Sequence, residues 1–501
     1  MNANKFRILL CLPLLMSISC KKFLDVSARD QVLQEKMFED GNGIRIAVNG
    51  VYKLLSHTDL YGKNLTWGFA SALGSNYEYF NLPYRERDAA QYLWQSSNVQ
   101  ALTEQVWKRA YNTLANCNNL IQEVEQKDSL FFEQRSREKN MILGEMYGVR
   151  AMLHFDLLRI FSPAPVTGYN GATIPYVAAY PEYQPAPLNM QALLTSIETD
   201  LQKARSLLAP VDTIWLRGVM RSNVGRIRSN GSWVPLDQGD FFNFRAQRMN
   251  YFAATALLAR LYLYKQDDAN AYTYAKLMYD AQKANWFRWT SASYQGQITD
   301  VDFIHTKRPE ELMLCFANNL NYVNIETTMD PNVGANYWRM SSGYMNALFA
   351  GDLDDYRIVG WYNRYNDQRY ITWLRPKGNS YTADQVAQDQ GPLLPAIRFT
   401  EMYHILIECL IRQEKIEEAV TILNDLRTNR GAKVKIANSV SGTELMEVLV
   451  KDIIRETLVE GQTFFLFKRL NRNIFNGATD RIMLPGEWYA PLPQSEVAYQ
   501  L

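Results

Sequence analysis

The stretch NMILGEMYGVRAMLHFDLLRIF, residues 140–161, decides the fold class of this chain. Its apolar residues recur at steps of three and four, the spacing that places them on one face of an α-helix. The pattern ends before Ser162, Pro163 and Pro165, because proline cannot continue a helix. The stretch therefore predicts a long helix with a buried face.

Similar helical patterns occur along most of the chain. They cover residues 106–124, 192–208, 251–265, 271–283, 402–412 and 415–430. Strand-like runs are few, and the best are ELMLCF, residues 311–316, and RYITWL, residues 369–374. Residues 209–244 and 318–389 lack a clear period and are predicted to be irregular. The fold class predicted is mostly α, with few short strands.

Two predicted helix pairs share the small and large positions of tetratricopeptide hairpins. The matching positions are Leu258, Ala259, Tyr262, Ala271 and Ala275 in the first pair, and Tyr403, Leu406, Ile407, Leu410, Ala419, Leu423 and Leu426 in the second. Ile407 is bulky where Gly or Ala is preferred, and the two pairs lie far apart in sequence. The alternative is two ordinary amphipathic hairpins.

The amino-acid composition bears on which classes of function are possible for this chain. The 501 residues include 53 Lys plus Arg and 52 Asp plus Glu, a balance that argues against nucleic acid as the main partner. Cys117, Cys315 and Cys409 lack CxxC spacing and are expected to be buried thiols. Aromatic residues make up 13%, with 30 Tyr and 11 Trp. Some of these rings are expected at a recognition surface.

The N-terminus has the parts of a secretory leader that ends at a cysteine. Basic Lys5 and Arg7 precede an apolar run over residues 8–16, and Ser17 and Ser19 lie just before Cys20. The apolar run is shorter than the roughly 20 residues that a membrane span needs. The junction resembles a bacterial lipobox, which predicts a signal peptide over residues 1–19 and acylation of Cys20. The alternative is an ordinary signal peptide with a chance cysteine.

No catalytic, cofactor or metal-binding motif is found in the sequence. HExxH, GxSxG, Walker A and paired CxxC patterns are absent. Of the four histidines, His154 is predicted to be a core residue with satisfied hydrogen bonds, and the others lack partners at metal-ligand spacing. Carboxylates are abundant, so an all-helical glycoside hydrolase with two acidic residues stays open as a weaker alternative.

Two poorly periodic stretches carry the candidate ligand-binding residues. Aromatic planes stack on the apolar faces of sugars or on peptide side chains, while Asn and Arg bind hydroxyls or carbonyls. The alternative for each ring is packing beneath a loop. The candidates are Tyr77, Tyr79, Tyr92, Trp94 and Asn98 in the first stretch and Tyr337, Trp338 and Arg339 in the second, with Tyr79, Trp94 and Trp338 favoured.

The order of several blocks resembles the SusD/RagB family of Bacteroidetes outer-membrane lipoproteins. The blocks are SCKKFLDV at 19–26, WKRAYNTLANCNNLI at 107–121, GEMYGVRAMLHFDLLRIF at 144–161 with IPYV at 174–177, MNALFAGDLDDYRI at 345–358, EMYHILIECLIRQEKIEEAVTILNDLRTNRGA at 401–432, IIRETLVEGQTFFLFKR at 453–469 and APLPQSEV at 490–497. The resemblance implies a tetratricopeptide-like helical-hairpin scaffold over about 20–317 and 390–501. It also implies a loop-rich excursion over about 318–389, within one binding domain, 20–501.

The resemblance also implies a function. It suggests a nutrient-binding lipoprotein, not an enzyme, anchored through Cys20 and displayed at the outer-membrane surface. Such a protein captures oligosaccharide such as starch and delivers it to a SusC-like TonB-dependent transporter, with no cofactor. A RagB-like peptide-binding counterpart is the alternative.

Overall fold

The computed structural model describes residues 36–222, 225–227, 239–292, 307–320, 338–365, 368–371 and 391–500. Within these ranges the chain is mostly helical, as the sequence predicts. The described α-helices are α1 (Gly41–Leu55), α2 (Phe69–Leu73), α3 (Tyr84–Ala90), α4 (Ser97–Gln126), α5 (Arg135–Phe161), α6 (Met190–Pro210), α7 (Arg217–Arg221), α8 (Tyr251–Tyr264), α9 (Asp268–Lys283), α10 (Ser342–Leu348), α11 (Tyr356–Trp361), α12 (Phe399–Arg412), α13 (Ile416–Asn429), α14 (Gly442–Thr457), α15 (Thr463–Leu470) and α16 (Gln494–Gln500).

Helix α5 is the centre of the scaffold. Every residue from Met141 to Phe161 is buried, so the helix is enclosed on all sides rather than along one stripe. It packs between α4 and α6. A Cβ at Gly144 would lie 2.6 Å from Leu208 Cγ of α6, so glycine permits this close approach of the two helices. The helix ends at Phe161, as predicted.

The two predicted hairpins are present and lie side by side. Helices α8 and α9 form one antiparallel pair, α12 and α13 form the other, and α9 packs against α12. The Tyr403 hydroxyl of α12 donates to Gln282 Oε1 of α9 at 2.7 Å. The predicted small and large positions of both pairs are all buried. Hairpins that are distant in sequence are therefore neighbours in one helical scaffold.

The described strands are short and form three small sheets. Strands β1 (Ala172–Pro175) and β2 (Pro187–Asn189) pair antiparallel, as do β3 (Leu312–Ala317) and β7 (Leu393–Arg398). In the third sheet β6 (Gln368–Ile371) lies between β4 (Met340–Ser341) and β5 (Tyr362–Tyr365). Strands β3 and β6 confirm the two strand predictions where the structure describes them.

Part of the predicted irregular stretch 209–244 is helical instead. Helix α6 runs to Pro210 and continues as a π-helical turn over Val211–Trp215, followed by α7. Asp212 in this turn is buried and accepts from Arg245 Nε at 2.9 Å. An ion pair between residues distant in sequence thus fixes the backbone of this turn, although the sequence of the turn lacks an apolar period.

Buried ion pairs also fix the chain that follows α10. Arg357 contacts Asp355 at 2.7 Å, and it contacts Asp452 and Glu456 of α14 at 3.0 Å each. A buried ion pair is tolerated only when its hydrogen bonds are satisfied. These contacts therefore hold the segment that carries Arg357 in one position against α14. The described part of the excursion is therefore attached to the helical scaffold.

Several predicted core features are confirmed. Cys117, Cys315 and Cys409 are buried free thiols. The His154 ring lies 2.9 Å through Nδ1 from the Arg150 carbonyl, and its Nε2 accepts from the Val177 amide at 3.0 Å. Among the helices that the structure describes, none is long and apolar enough to cross a membrane. Cys20 and the predicted leader lie outside the described residues.

Candidate functional site

The two candidate stretches meet in space. The Glu78 amide donates to the Arg339 carbonyl at 2.9 Å, and the Trp338 amide donates to the Asn81 carbonyl at 2.9 Å. The ring centroids of Tyr77 and Trp338 are 5.2 Å apart. The sequence therefore singled out two segments that form one structural unit, although they are far apart in the chain.

Most of the candidate aromatic rings lie beneath this unit rather than on its surface. Tyr77, Tyr92, Trp94 and Trp338 are buried, as is Arg339. For these four rings the structure therefore agrees with the stated alternative, packing beneath a loop, rather than with exposure to a ligand. The physical reason is that irregular backbone leaves space below it, which large rings with one polar atom can fill.

The tyrosine hydroxyls show how these rings are held. The Tyr77 hydroxyl donates to the Trp67 carbonyl at 2.7 Å, and the Tyr92 hydroxyl donates to the Leu73 carbonyl at 2.6 Å. Burial raises the pKa of Tyr92. Neither hydroxyl is available to a ligand in this arrangement.

Tyr79 is the candidate ring that the structure exposes. We define the aromatic loop as residues 78–84, which include a single 3₁₀ turn over Tyr79–Asn81 and the first residue of α3. Its exposed side chains are Tyr79 (51%), Phe80 (55%) and Tyr84 (73%). Arg87 holds these parts together, because its Nη2 donates to the Phe80 carbonyl at 3.0 Å and its guanidinium lies 5.1 Å from the Tyr84 ring centre.

A polar groove of about 450 Å³ adjoins the aromatic loop at Tyr84. Asn98, another candidate, lines it and donates to Asp88 Oδ2 at 2.9 Å, a position set by the N-cap of α4. The remaining polar residues of the groove are Thr58, Asp59, Lys63, Asn64, Arg85, Glu86 and Gln105. Tyr337 lies outside the described residues.

The two groove carboxylates are both held by cations. Asp59 Oδ2 lies 3.2 Å from Arg109 Nε and 3.1 Å from His57 Nδ1. Glu86 Oε1 accepts from Lys63 Nζ at 2.6 Å. Within the described ranges, no group of three or more His, Cys, Asp or Glu residues is placed to hold a metal ion. The groove's polar side chains thus lie as hydrogen-bond partners beside the exposed ring of Tyr84.

Two other cavities fit a ligand site less well. A cavity of about 80 Å³ beside Arg159, Tyr264 and His404 is smaller than the roughly 300–1,000 Å³ of ordinary ligand pockets. A groove of about 730 Å³ is lined by Tyr169 and Trp488, among others, but these rings are half-buried. The polar groove, in contrast, is lined by the exposed ring of Tyr84 and by the predicted residue Asn98.

Sequence reasoning missed Phe80 and Tyr84. A signal was present, because Pro83 and the charged run RERD at 85–88 follow the two adjacent rings Tyr79 and Phe80. A turn beside a charged helix start is typical of surface chain. The pattern favours exposure of Phe80 and Tyr84 over burial.

Comparisons with known proteins agree on one family. Residues 22–215 match a SusD-like family model described as starch-binding and associating with the outer membrane. SusD-like protein P25 of Formosa agariphila is 23% identical over 161 residues, which is 29% of this chain and 28% of that protein. The family-model match therefore covers the N-terminal part of the chain.

Crystal structures extend the likeness to almost the whole chain. A SusD-like carbohydrate binding protein from Bacteroides vulgatus superposes with a TM-score of 0.66 at 16% identity, covering 92% of this chain and 96% of that one. A SusD superfamily protein from Bacteroides thetaiotaomicron gives 0.63 at 20% identity, covering 91% and 97%. At these identities the likeness shows a shared fold.

Proposed function

We propose that this chain, whose residues 22–215 match the SusD-like family model, is a nutrient-binding protein of the outer membrane that captures oligosaccharide. One observation carries the proposal. Tyr79, Phe80 and Tyr84 are exposed on the aromatic loop, and Tyr84 lines the polar groove that adjoins it, an arrangement in which burial of apolar surface is left to a partner molecule.

The chemistry of the groove suits a sugar. Pyranose rings present apolar faces that stack on aromatic planes, and their hydroxyls need donors and acceptors at the edges. Tyr84 supplies a plane at the groove, and Tyr79 and Phe80 supply further exposed planes on the aromatic loop. Asn98 and Arg85 supply polar atoms along the groove wall. Its volume of about 450 Å³ lies in the range of small-molecule sites.

The proposed role is binding without catalysis. Glycoside hydrolysis uses one carboxyl group as acid and a second as base or nucleophile. In this groove Asp59 and Glu86 are each engaged by a cation, at 3.2 and 2.6 Å. These pairs favour a supporting role for both carboxylates.

The proposal also includes display of the protein on the membrane and delivery of the bound oligosaccharide. The leader and Cys20 would place residues 20–501 on the outer membrane through acyl chains, each buried CH₂ contributing about 0.8 kcal/mol of membrane affinity. The bound oligosaccharide would then pass to a SusC-like TonB-dependent transporter. Co-purification of such a transporter from gently solubilised membranes tests this step.

The binding proposal is tested with defined mixtures. The purified chain from residue 21 is incubated separately with labelled plant and microbial oligosaccharides, including maltoheptaose, and with labelled peptides. Retention of glycans without their breakdown is the expected result. Retention of peptides alone would replace the proposal with the peptide-binding alternative, and turnover of any glycan would contradict binding without catalysis.

A further inference from the structure

Residues 78–81 of the aromatic loop are attached at both ends to one dipeptide, residues 338–339. The Glu78 amide bonds the Arg339 carbonyl, and the Asn81 carbonyl accepts from the Trp338 amide, both at 2.9 Å. Tyr79 and Phe80 lie between these two anchor points. Their position in space therefore depends on where the backbone of residues 338–339 is held.

The side chain of Trp338 holds that backbone. Its buried ring packs edge-on against Trp67 and Tyr77, with centroid distances of 5.2 Å to each, and Lys63 Nζ lies 5.3 Å from its centre. The partners are themselves fixed, because the Trp67 indole donates to the Gly62 carbonyl at 3.0 Å and Tyr77 bonds Trp67. Trp338 is thus seated in a rigid aromatic socket formed by Trp67, Tyr77 and Lys63.

Trp338 occupies this socket at a cost in free energy. Its φ is 62°, in the left-handed region that bulky L-residues rarely adopt. Its buried indole Nε1 has no hydrogen-bond partner among the described residues. Costly local geometry of this kind persists where the surroundings enforce it and is concentrated at functional sites.

We propose that Trp338 is a positioning residue for the ligand site. Its ring does not contact the ligand; instead it sets the place of Tyr79 and Phe80 through the two backbone hydrogen bonds. The inference rests on the proposed function for its purpose, although the positioning itself is measurable without any ligand. Trp338, although buried, would then contribute to ligand recognition through the exposed rings whose position it sets.

Amide hydrogen exchange on the chain from residue 21 tests the positioning directly. Trp338→Ala should raise exchange in peptides covering 77–82 by tenfold or more and leave α5 unchanged, because the two anchoring bonds lose their support. Trp338→Phe, which keeps a ring in the socket, should restore most of the protection. Trp289→Ala is the matched control, since Trp289 also packs edge-on, at 4.7 Å from Phe399, away from the aromatic loop; it should leave 77–82 unchanged.

The outcomes separate this inference from the proposed function. Unchanged exchange at 77–82 in Trp338→Ala, or an equal rise throughout the chain, overturns the positioning role. Where the wild type binds maltoheptaose, Trp338→Ala should weaken binding at least fivefold and Trp338→Phe less than twofold; equal losses in the two variants also overturn it. Localised exchange together with failure of the wild type to bind any oligosaccharide would instead contradict the proposed function.

Discussion

The ring of Trp338 packs edge-on against the ring of Tyr77, with centroids 5.2 Å apart and ring planes at 80°. This contact joins two chain segments that are distant in sequence. Edge-to-face aromatic pairs contribute about 0.5–1.5 kcal/mol beyond their buried area. The buried pair therefore gives the exposed aromatic loop above it a stable base, and the rings that support the loop differ from the exposed rings that we propose bind the ligand.

Trp94 is expected to act on stability alone. Its ring is buried next to Tyr92, with centroids 6.1 Å apart. Trp94→Ala should lower the free energy of unfolding by about 3–5 kcal/mol, because it leaves a cavity. Urea denaturation measures this loss, and ligand titration should show unchanged affinity per folded molecule.

The neighbouring Leu93, 48% exposed, supplies the control. Leu93→Ala should change the unfolding free energy by no more than about 0.5 kcal/mol. A fully stable Trp94→Ala protein with reduced ligand affinity would show that Trp94 touches the ligand.

His154 should make stability fall in acid. Burial, with the Arg150 charge beside it, lowers the pKa of His154 from its ordinary 6.5 to about 3. Below pH 6.5 His154 of the unfolded chain binds a proton that His154 of the folded chain does not. The stabilisation of the folded state by neutral His154 is therefore fully present above pH 6.5 and is lost as the pH falls toward 3. The loss is on the order of 4 kcal/mol.

Unfolding free energies across this pH range check the prediction. His154→Gln should flatten the profile between pH 6.5 and 3, because glutamine has no group that titrates in this range. A profile that is the same in His154→Gln and wild type would refute the assignment.

Cys20 is expected to anchor the protein. Cys20→Ala, expressed with its leader in a bacterium that acylates lipoproteins, should lose membrane association, since the lysines that follow offer no apolar anchor. Cys11→Ala is the control and should remain with the membranes, because Cys11 lies within the predicted leader. Cell fractionation provides the measurement. Membrane association of Cys20→Ala equal to that of the wild type would contradict the anchor.

Sequence reasoning was most successful where local spacing determines burial. Residues 140–161 and the two hairpins could be predicted because a helix with regularly spaced apolar residues must bury that face. It was least successful at the site, where Tyr77 is buried and Tyr79 is exposed only two residues later. That difference depends on Trp338, a contact that no local pattern contains. The π-helical turn after α6 was not predicted for the same reason, because Asp212 in this turn is held by Arg245, which is distant in sequence.

Calorimetric titration of oligosaccharides, beginning with maltoheptaose, into Tyr84→Ala and Tyr183→Ala tests whether the aromatic loop binds carbohydrate. Both tyrosines are highly exposed, at 73% and 85%, but Tyr84 lies at the groove and Tyr183 is not among its lining residues. We expect Tyr84→Ala to weaken binding of the retained oligosaccharide by about 1–3 kcal/mol while both variants keep the wild-type melting temperature. Tyr183→Ala should bind as the wild type does. Wild-type affinity in Tyr84→Ala, or an equal loss in both variants, would contradict the assignment of the aromatic loop as the carbohydrate-binding site.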